Sequence, residues 1–214
     1  MSKVNILVLV SGNGTNLQAL LDAEKGGAFH IVTKTDNSYA AGKITAVVSD
    51  RSGAFALKRA KASGISVFVE KPNSALPESE RRRELSDRIL RLCREKKIGL
   101  VVMAGFLSIL SGALLKEYCG RIISIHPALL PRFGGQGMYG ERVHRAVLAA
   151  GETESGCTVH LVDAGTDTGP ILLQRKVPVL SGDTPETLAE RVHREEHIAI
   201  VEGVQMMVKS LGGS

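Results

Sequence analysis

Short apolar runs alternate with amphipathic stretches along most of the chain. Val4 to Val10 is apolar except for Asn5, and Ile44 to Ser49, Ile65 to Val69 and Gly99 to Ala104 are runs of the same kind. Runs of this length without alternation suit strands covered on both faces. Between them, Leu17, Leu20 and Leu21 recur at helical spacing, Phe55 to Ser63 predicts a short helix stopped by Gly64, and Glu78 to Lys97 predicts a long charged helix with Leu85, Ile89 and Leu92 on one stripe. Residues 26–43 have mixed polarity and no clear period, and read as a surface excursion between the first helix and the second strand.

Past residue 104 the pattern continues. Ser111 is the expected cap of a helix whose core face carries Leu114, Leu115 and Tyr118, and the apolar run Ile122–Ile125 predicts the next buried strand. Arg132 to Gly140 holds four glycines in nine residues and reads as a mobile loop or as backbone that approaches a ligand closely. His144 to Ala150 predicts a helix, Gly156 to Asp163 and Ile171 to Val177 predict strands, and Asp183 or Thr184 caps a last helix with Pro185 in its first turn, running to about Lys209. Strands and helices in alternation with short links predict an α/β fold, a doubly wound and mostly parallel sheet with helices on both faces. At 214 residues this is one domain, 1–214, with an amino-terminal half of about 1–98 and a second half of about 99–214.

Composition narrows the function classes. Hydrophobic content is 43% with no run near the roughly 20 apolar residues of a membrane span. The N-terminus runs from a short apolar stretch into a glycine turn and reads as a first strand, not a signal peptide. Cys93, Cys119 and Cys157, odd in number and widely spaced, form neither a disulfide framework nor a metal spacing, which suits reduced thiols and a cytoplasmic protein. The net charge of +5 suits an anionic small molecule, whereas 4% aromatic residues and no tryptophan disfavour a base-stacking nucleic-acid surface.

Candidate chemistry collects at strand ends. The run RIISIHPALLP, Arg121 to Pro131, places Ser124 inside an apolar strand and His126 at its end, where the following proline favours extended backbone. Ser11 to Asn16 lies between the first strand and first helix; such a turn either exposes backbone N–H groups to a phosphate or is a plain connection capped by Thr15 or Asn16. Gly105 to Leu110 suits a loop lining an apolar pocket, and Arg81 to Arg83 is either a solvated helix face or a contact for an anion. Asp167, in the tight loop Ala164–Pro170, is either a turn cap or a functional carboxylate. His126, His144 and His160 show no spacing with thiols or carboxylates that implies a metal.

The segments SGNGTNLQALLDA (11–23), VVMAGFLSIL (101–110), IHPALLPRF (125–133), GCTVHLVDAGTDTGPILLQ (156–174) and GDTPETLAERVHREEH (182–197) together resemble the glycinamide ribonucleotide formyltransferase family of purine synthesis. The resemblance covers nearly the whole chain. It implies formyl transfer from 10-formyltetrahydrofolate to the amine of glycinamide ribonucleotide, with the phosphate side in the first half and the folate and catalytic side in the second. His126 and Asp167 match the family's catalytic histidine and aspartate. Gly14, Thr15 and Asn16 match its phosphate site, and Glu196 a position that contacts the amine substrate. The pterin would lie among Leu107, Ser108, Ile109, Leu110, Val162 and Asp163, with Arg83 meeting a folate carboxylate. Monomer and homodimer both remain open.

Two positions depart from the family pattern. The motif is NIHP, and its catalytic asparagine is here Ser124, which offers one donor on a shorter arm. Ser108 stands where many relatives carry arginine. The expectation is a formyltransferase fold with weakened catalysis; the alternative is a homologue that binds nucleotide and folate as a regulatory or binding protein. A related enzyme with another formyl donor or acceptor ranks below both: a methionyl-tRNA formyltransferase would need a further carboxyl-terminal domain, and a formyltetrahydrofolate hydrolase an amino-terminal one.

Overall fold

The computed structural model describes residues 2–32 and 39–212. In chain order the elements are β1 (Ser2–Val10), α1 (Thr15–Lys25), β2 (His30–Val32), β3 (Tyr39–Ser49), α2 (Phe55–Ala62), β4 (Ser66–Val69), α3 (Glu78–Glu95), β5 (Ile98–Met103), α4 (Ala113–Glu117), β6 (Ile122–His126), α5 (Glu141–Ala149), β7 (Glu154–Leu161), β8 (Ile171–Pro178) and α6 (Pro185–Gly212). One sheet joins the strands in the order β2-β3-β1-β5-β6-β7-β8, with β4 also on β3. β1, β3, β4, β5 and β6 are mutually parallel, while β2, β7 and β8 pair antiparallel. Among the described residues no helix is long and apolar enough to cross a membrane.

The near-continuous apolar reading of β1 has a direct cause. Val4, Ile6, Val8 and Val10 enter the core on one face, with α1, α2 and α6, while Leu7 and Leu9 enter the core on the other, with α3 and α4. Each fully buried side chain of this kind contributes roughly 1.5–3 kcal/mol. β6 obeys the same alternation: Ile123 and Ile125 join the first core and Ile122 the second, so Ser124 and His126 point to the face of Ile122.

The chain moves from β1 outward to β3 and then returns to β5 on the other side of β1. The carboxyl ends of β1 and β5 therefore flank a switch point, where ligands bind in open α/β sheets. Ser11 bridges it: its N–H donates to the Gly105 carbonyl at 2.9 Å, and its hydroxyl accepts from the Leu107 N–H at 2.8 Å.

Two expectations need correction, and a third resolves between its alternatives. Residues 39–43 and 30–32 are not a surface excursion: the first extend β3 and the second pair with it as an antiparallel edge. Ala40 is buried there despite the weak pattern, because a small residue suffices where α6 packs close. Residues 33–38 lie outside the described structure. Ser111 does not cap α4; Gly112 takes the cap position, and the Ser111 N–H donates to Ser86 Oγ at 2.9 Å. Of the two candidates for α6, Thr184 is the cap, accepting from the Thr187 N–H at 3.3 Å, whereas Asp183 is held by Arg191.

Candidate active site

A cavity of about 980 Å³ opens at the carboxyl edge of the parallel strands. Its walls are the turn after β1, the Gly105–Leu110 loop after β5, the end of β6, the glycine-rich loop 135–140, the loop after β7, and one face of α6.

His126, the last residue of β6, is only 4% exposed. Its Nε2 lies 2.8 Å from the Phe133 carbonyl oxygen, and its Nδ1 lies 3.4 Å from Asp167 Oδ2. β7 ends opposite Ile123, yet its following loop folds back far enough to bring Asp167 beside the end of β6. Asp167 holds a positive φ of 59° and is pinned by the Gly135 N–H at 3.0 Å. Its other oxygen lies 3.6 Å from Nε2 of His160, which stands directly across the ladder from Ser124. Burial raises the Asp167 carboxyl, but His160, the charge of His126 and the Gly135 N–H together bring it below the ordinary aspartate value. For His126 burial dominates: the ring titrates below the ordinary histidine value, against the pull of Asp167 and the Phe133 carbonyl. Ser124 lines the same cavity, and its hydroxyl bonds no other described residue.

The loop after His126 is held by residues that the sequence reading did not single out. Thr158, fully buried and directly opposite His126, donates to the Ala128 carbonyl at 2.6 Å and accepts from the Leu130 N–H at 3.0 Å. Gln174, opposite Thr158 on β8, donates to Thr158 Oγ1 and to the Leu130 carbonyl, both at 2.9 Å. A Thr and a Gln in alternating strands carry no local signal of such a role; only the ladder register reveals it.

On the other side of the cavity, α1 begins at Gly14, whose φ is 75°, with no side-chain cap on its first N–H groups. A Cβ on Gly14 would lie 2.5 Å from that of Ala56, so the turn is compatible only with glycine. The free N–H groups of Thr15 and Asn16 face the cavity, as a phosphate site requires. The Asn16 side chain turns elsewhere, to a hydrogen bond with Glu196. Glu196 is 4% exposed, and burial pushes its carboxyl up to about 7. His193, one turn earlier on α6, brings Nε2 to 3.5 Å from Glu196 Oε2, and buried His144 on α5 meets the His193 ring edge-on at 6.4 Å.

Leu107, Ser108, Ile109, Leu110, Val162 and Asp163 also line the cavity. Ser108 donates to Asp50 at 2.7 Å, and Asp163 is engaged within its own loop by the Gly165 N–H and the Thr168 hydroxyl. Arg83 does not line this cavity. It is exposed on α3, while Arg82, ion-paired with Glu78, does line it. The phase of the Leu85–Ile89–Leu92 stripe contains the reason: Arg82 sits three residues before Leu85 and shares its side of the helix, whereas Arg83 is rotated about 200° from it. Among the described residues no group of three or more His, Cys, Asp or Glu is arranged to hold a metal ion.

The family model for formyl transferase matches residues 4–204. The phosphoribosylglycinamide formyltransferase of Escherichia coli (strain K12) is 38% identical over 194 residues, covering 91% of this chain and 82% of that protein. The trifunctional purine biosynthetic protein adenosine-3 of Drosophila pseudoobscura pseudoobscura is 40% identical across 94% of this chain, which spans 14% of that longer protein. Among solved structures, glycinamide ribonucleotide transformylase 1 from Symbiobacterium toebii superposes with a TM-score of 0.83 at 36% identity, covering 97% of this chain and 89% of that one. With the whole cavity falling inside the matched residues, the chain belongs to the formyl transferase family, among the phosphoribosylglycinamide formyltransferases.

Proposed function

We propose that this chain transfers the formyl group of 10-formyltetrahydrofolate to the amine of glycinamide ribonucleotide. The observation that carries the reading is the single cavity that joins an uncapped helix N-terminus, a buried carboxylate at Glu196 and the His126–Asp167 pair. These three suit a phosphate, an amine and a tetrahedral oxyanion respectively. The ribonucleotide phosphate rests on the backbone of Gly14, Thr15 and Asn16, and its amine meets Glu196. The pterin lies against Leu107 to Leu110 and the Val162–Asp163 segment, and Arg82, at the mouth, replaces Arg83 as the arginine that faces a folate carboxylate.

In the reaction the amine attacks the formyl carbon and its oxygen gains charge. The Nε2–H of His126, otherwise given to the Phe133 carbonyl, is the donor for that oxygen. Asp167 supports the charged form of the ring and accepts the proton that the attacking nitrogen sheds, for return to the folate nitrogen as the C–N bond breaks. Ser124 shares the His126 face but holds one hydroxyl where the family pattern has a carboxamide. Loss of one oxyanion donor costs about 100- to 1,000-fold, so we expect slow chemistry at an otherwise assembled site.

The same residue favours a second reading, a homologue that binds both ligands and turns over negligibly. Single-turnover formyl transfer beside equilibrium binding separates them. Measurable transfer that rises with Ser124→Asn supports the enzyme. Tight binding of both ligands with no transfer supports the binding protein, and a Ser124→Asn variant no faster than its parent shows that this position does not limit the rate.

A further inference from the structure

The acceptor side of the cavity contains more chemistry than substrate contact requires. Asn16 donates through its amide to Glu196, and its Oδ1 is buried with no partner among the described residues, an acceptor in need of a donor. Glu196 offers a second acceptor and His193 Nε2, 3.5 Å from Glu196 Oε2, a third. The three acceptors, two of them on side chains that contact Glu196, equal in number the three N–H bonds of a primary ammonium group. α-Amino groups titrate near 8, so at neutral pH the acceptor arrives largely as the ammonium and cannot attack until it loses a proton.

We propose that His193 is the base that converts the bound ammonium to the free amine, with Glu196 and Asn16 Oδ1 holding the nitrogen in place. The inference rests on the formyl-transfer reading above. The proton balance requires such a group. The ammonium carries one proton more than the amine; that proton passes to His193 Nε2 and then to water. The second proton, shed after attack, moves to the folate nitrogen through His126 and Asp167, so net transfer from an ammonium releases one proton to solvent. His193 suits that exit because it is half-exposed while lining the cavity, whereas Glu196 and His144 are buried.

The carboxylates facing His193 favour its charged form and burial its neutral form, and burial prevails. On its own helix the titratable groups that face it are Glu190, Glu196 and His197, and from α5 comes His144. Burial lowers His193 below the ordinary histidine value, partly offset by Glu190. His144, pushed down to about 4 by burial, stays uncharged and neither repels nor replaces the proton that His193 takes. Glu196 is tied to Asn16 of α1 and faces Cys157 of β7.

The test is the pH dependence of kcat/KM for glycinamide ribonucleotide in the parent protein and in His193→Ala and His193→Gln. At about pH 7 both variants should lose up to about tenfold, because roughly one part in ten of an amine that titrates near 8 is already free there. The loss should shrink near pH 9, where solution supplies free amine, and added imidazole should restore His193→Ala at neutral pH. A loss equal at both pH values and indifferent to imidazole would show a merely structural role and overturn the proposal, as would no loss at all in a protein that transfers formyl. A parent protein that fails to formylate glycinamide ribonucleotide at every pH would overturn the formyl-transfer reading, and this inference with it.

Discussion

The Nε2 of His126 stands 2.8 Å from the carbonyl oxygen of Phe133. A carbonyl only accepts, so Nε2 carries the proton, and in the neutral ring Nδ1 directs a lone pair at Asp167, 3.4 Å away. His160 repeats the arrangement on the other side: its Nδ1 is 2.8 Å from the Leu161 carbonyl oxygen, and its Nε2 lies 3.6 Å from the other oxygen of Asp167. Two imidazole rings, each with one nitrogen at a backbone carbonyl, thus face the two oxygens of one carboxylate.

Replacing Asp167 by Asn tests this relationship. The amide still accepts from Gly135 and can donate to either ring, so the loop should keep its place, but the charge that supports a protonated His126 is gone. We expect kcat to fall by about 10²- to 10⁴-fold, the range of general acid–base assistance, with KM for both substrates nearly unchanged. Steady-state kinetics decides it; a variant that loses affinity while keeping kcat would mean that Asp167 serves binding.

Thr158 and Gln174 are expected to act through the loop they hold. Thr158→Val leaves the buried Leu130 N–H and Ala128 carbonyl without that partner, at about 1–3 kcal/mol for each group so orphaned. The melting temperature should drop by roughly 4–8 °C, taking about 2 kcal/mol for a chain of this size. Because the same loop carries Phe133 to His126, kcat should fall too. Gln174→Leu should do both to a lesser degree, since Thr158 keeps its bonds to Ala128 and Leu130. A Thr158→Val protein as stable as its parent would remove the claim.

Much of this was legible from residue order, and the misses share a cause. Strands buried on both faces announce themselves, so β1, β5 and β6 were found nearly to the residue. Tyr39 to Lys43 escaped because Ala, Gly and Tyr form a weak apolar signal, although tertiary packing by α6 buries Ala40 there. The expected site residues that gather at the cavity do so because strand ends converge at one edge, which the alternation of elements predicts. His160, Thr158 and Gln174 depend on antiparallel register across three strands, and no local pattern encodes register. Arg83 lies outside the cavity that Arg82 lines, a difference of one helical position that the phase of the adjacent leucine stripe contains.

Gly14 couples the fold to the phosphate site. Its positive φ disfavours any side chain by about 1–2 kcal/mol, and the contact with Ala56 adds to that by forcing α1 and α2 apart. Gly14→Ala should therefore raise KM for the ribonucleotide more than it lowers kcat, as the N–H groups of Thr15 and Asn16 shift from the anion. Folate affinity should be preserved. Isothermal titration with each ligand tests this; equal losses for both would indicate general unfolding instead.

Glu196 places function and stability in opposition. Its carboxyl is raised to about 7 in the folded chain by burial, against an ordinary value of 4.5. A group raised in the folded state contributes stability that is full below its unfolded value and is lost as pH rises through the folded one. The ionised carboxylate should therefore cost on the order of 3 kcal/mol above neutral pH. Four histidines act with the opposite sign: His126, His144, His193 and His197 are lowered by the burial each has, so their contribution is present above about 6.5 and fades as pH falls, toward about 4 for His144. Glu196→Gln removes the first effect and leaves the second. Urea unfolding at pH 8 should show the variant more stable than the parent by on the order of 1–3 kcal/mol, with the difference narrowing toward pH 5, while affinity for the acceptor amine falls sharply. A variant less stable than its parent at pH 8 would mean that the carboxylate is better satisfied in the folded chain than its burial suggests, and the cost assigned to holding a charge there for the substrate would have to be withdrawn.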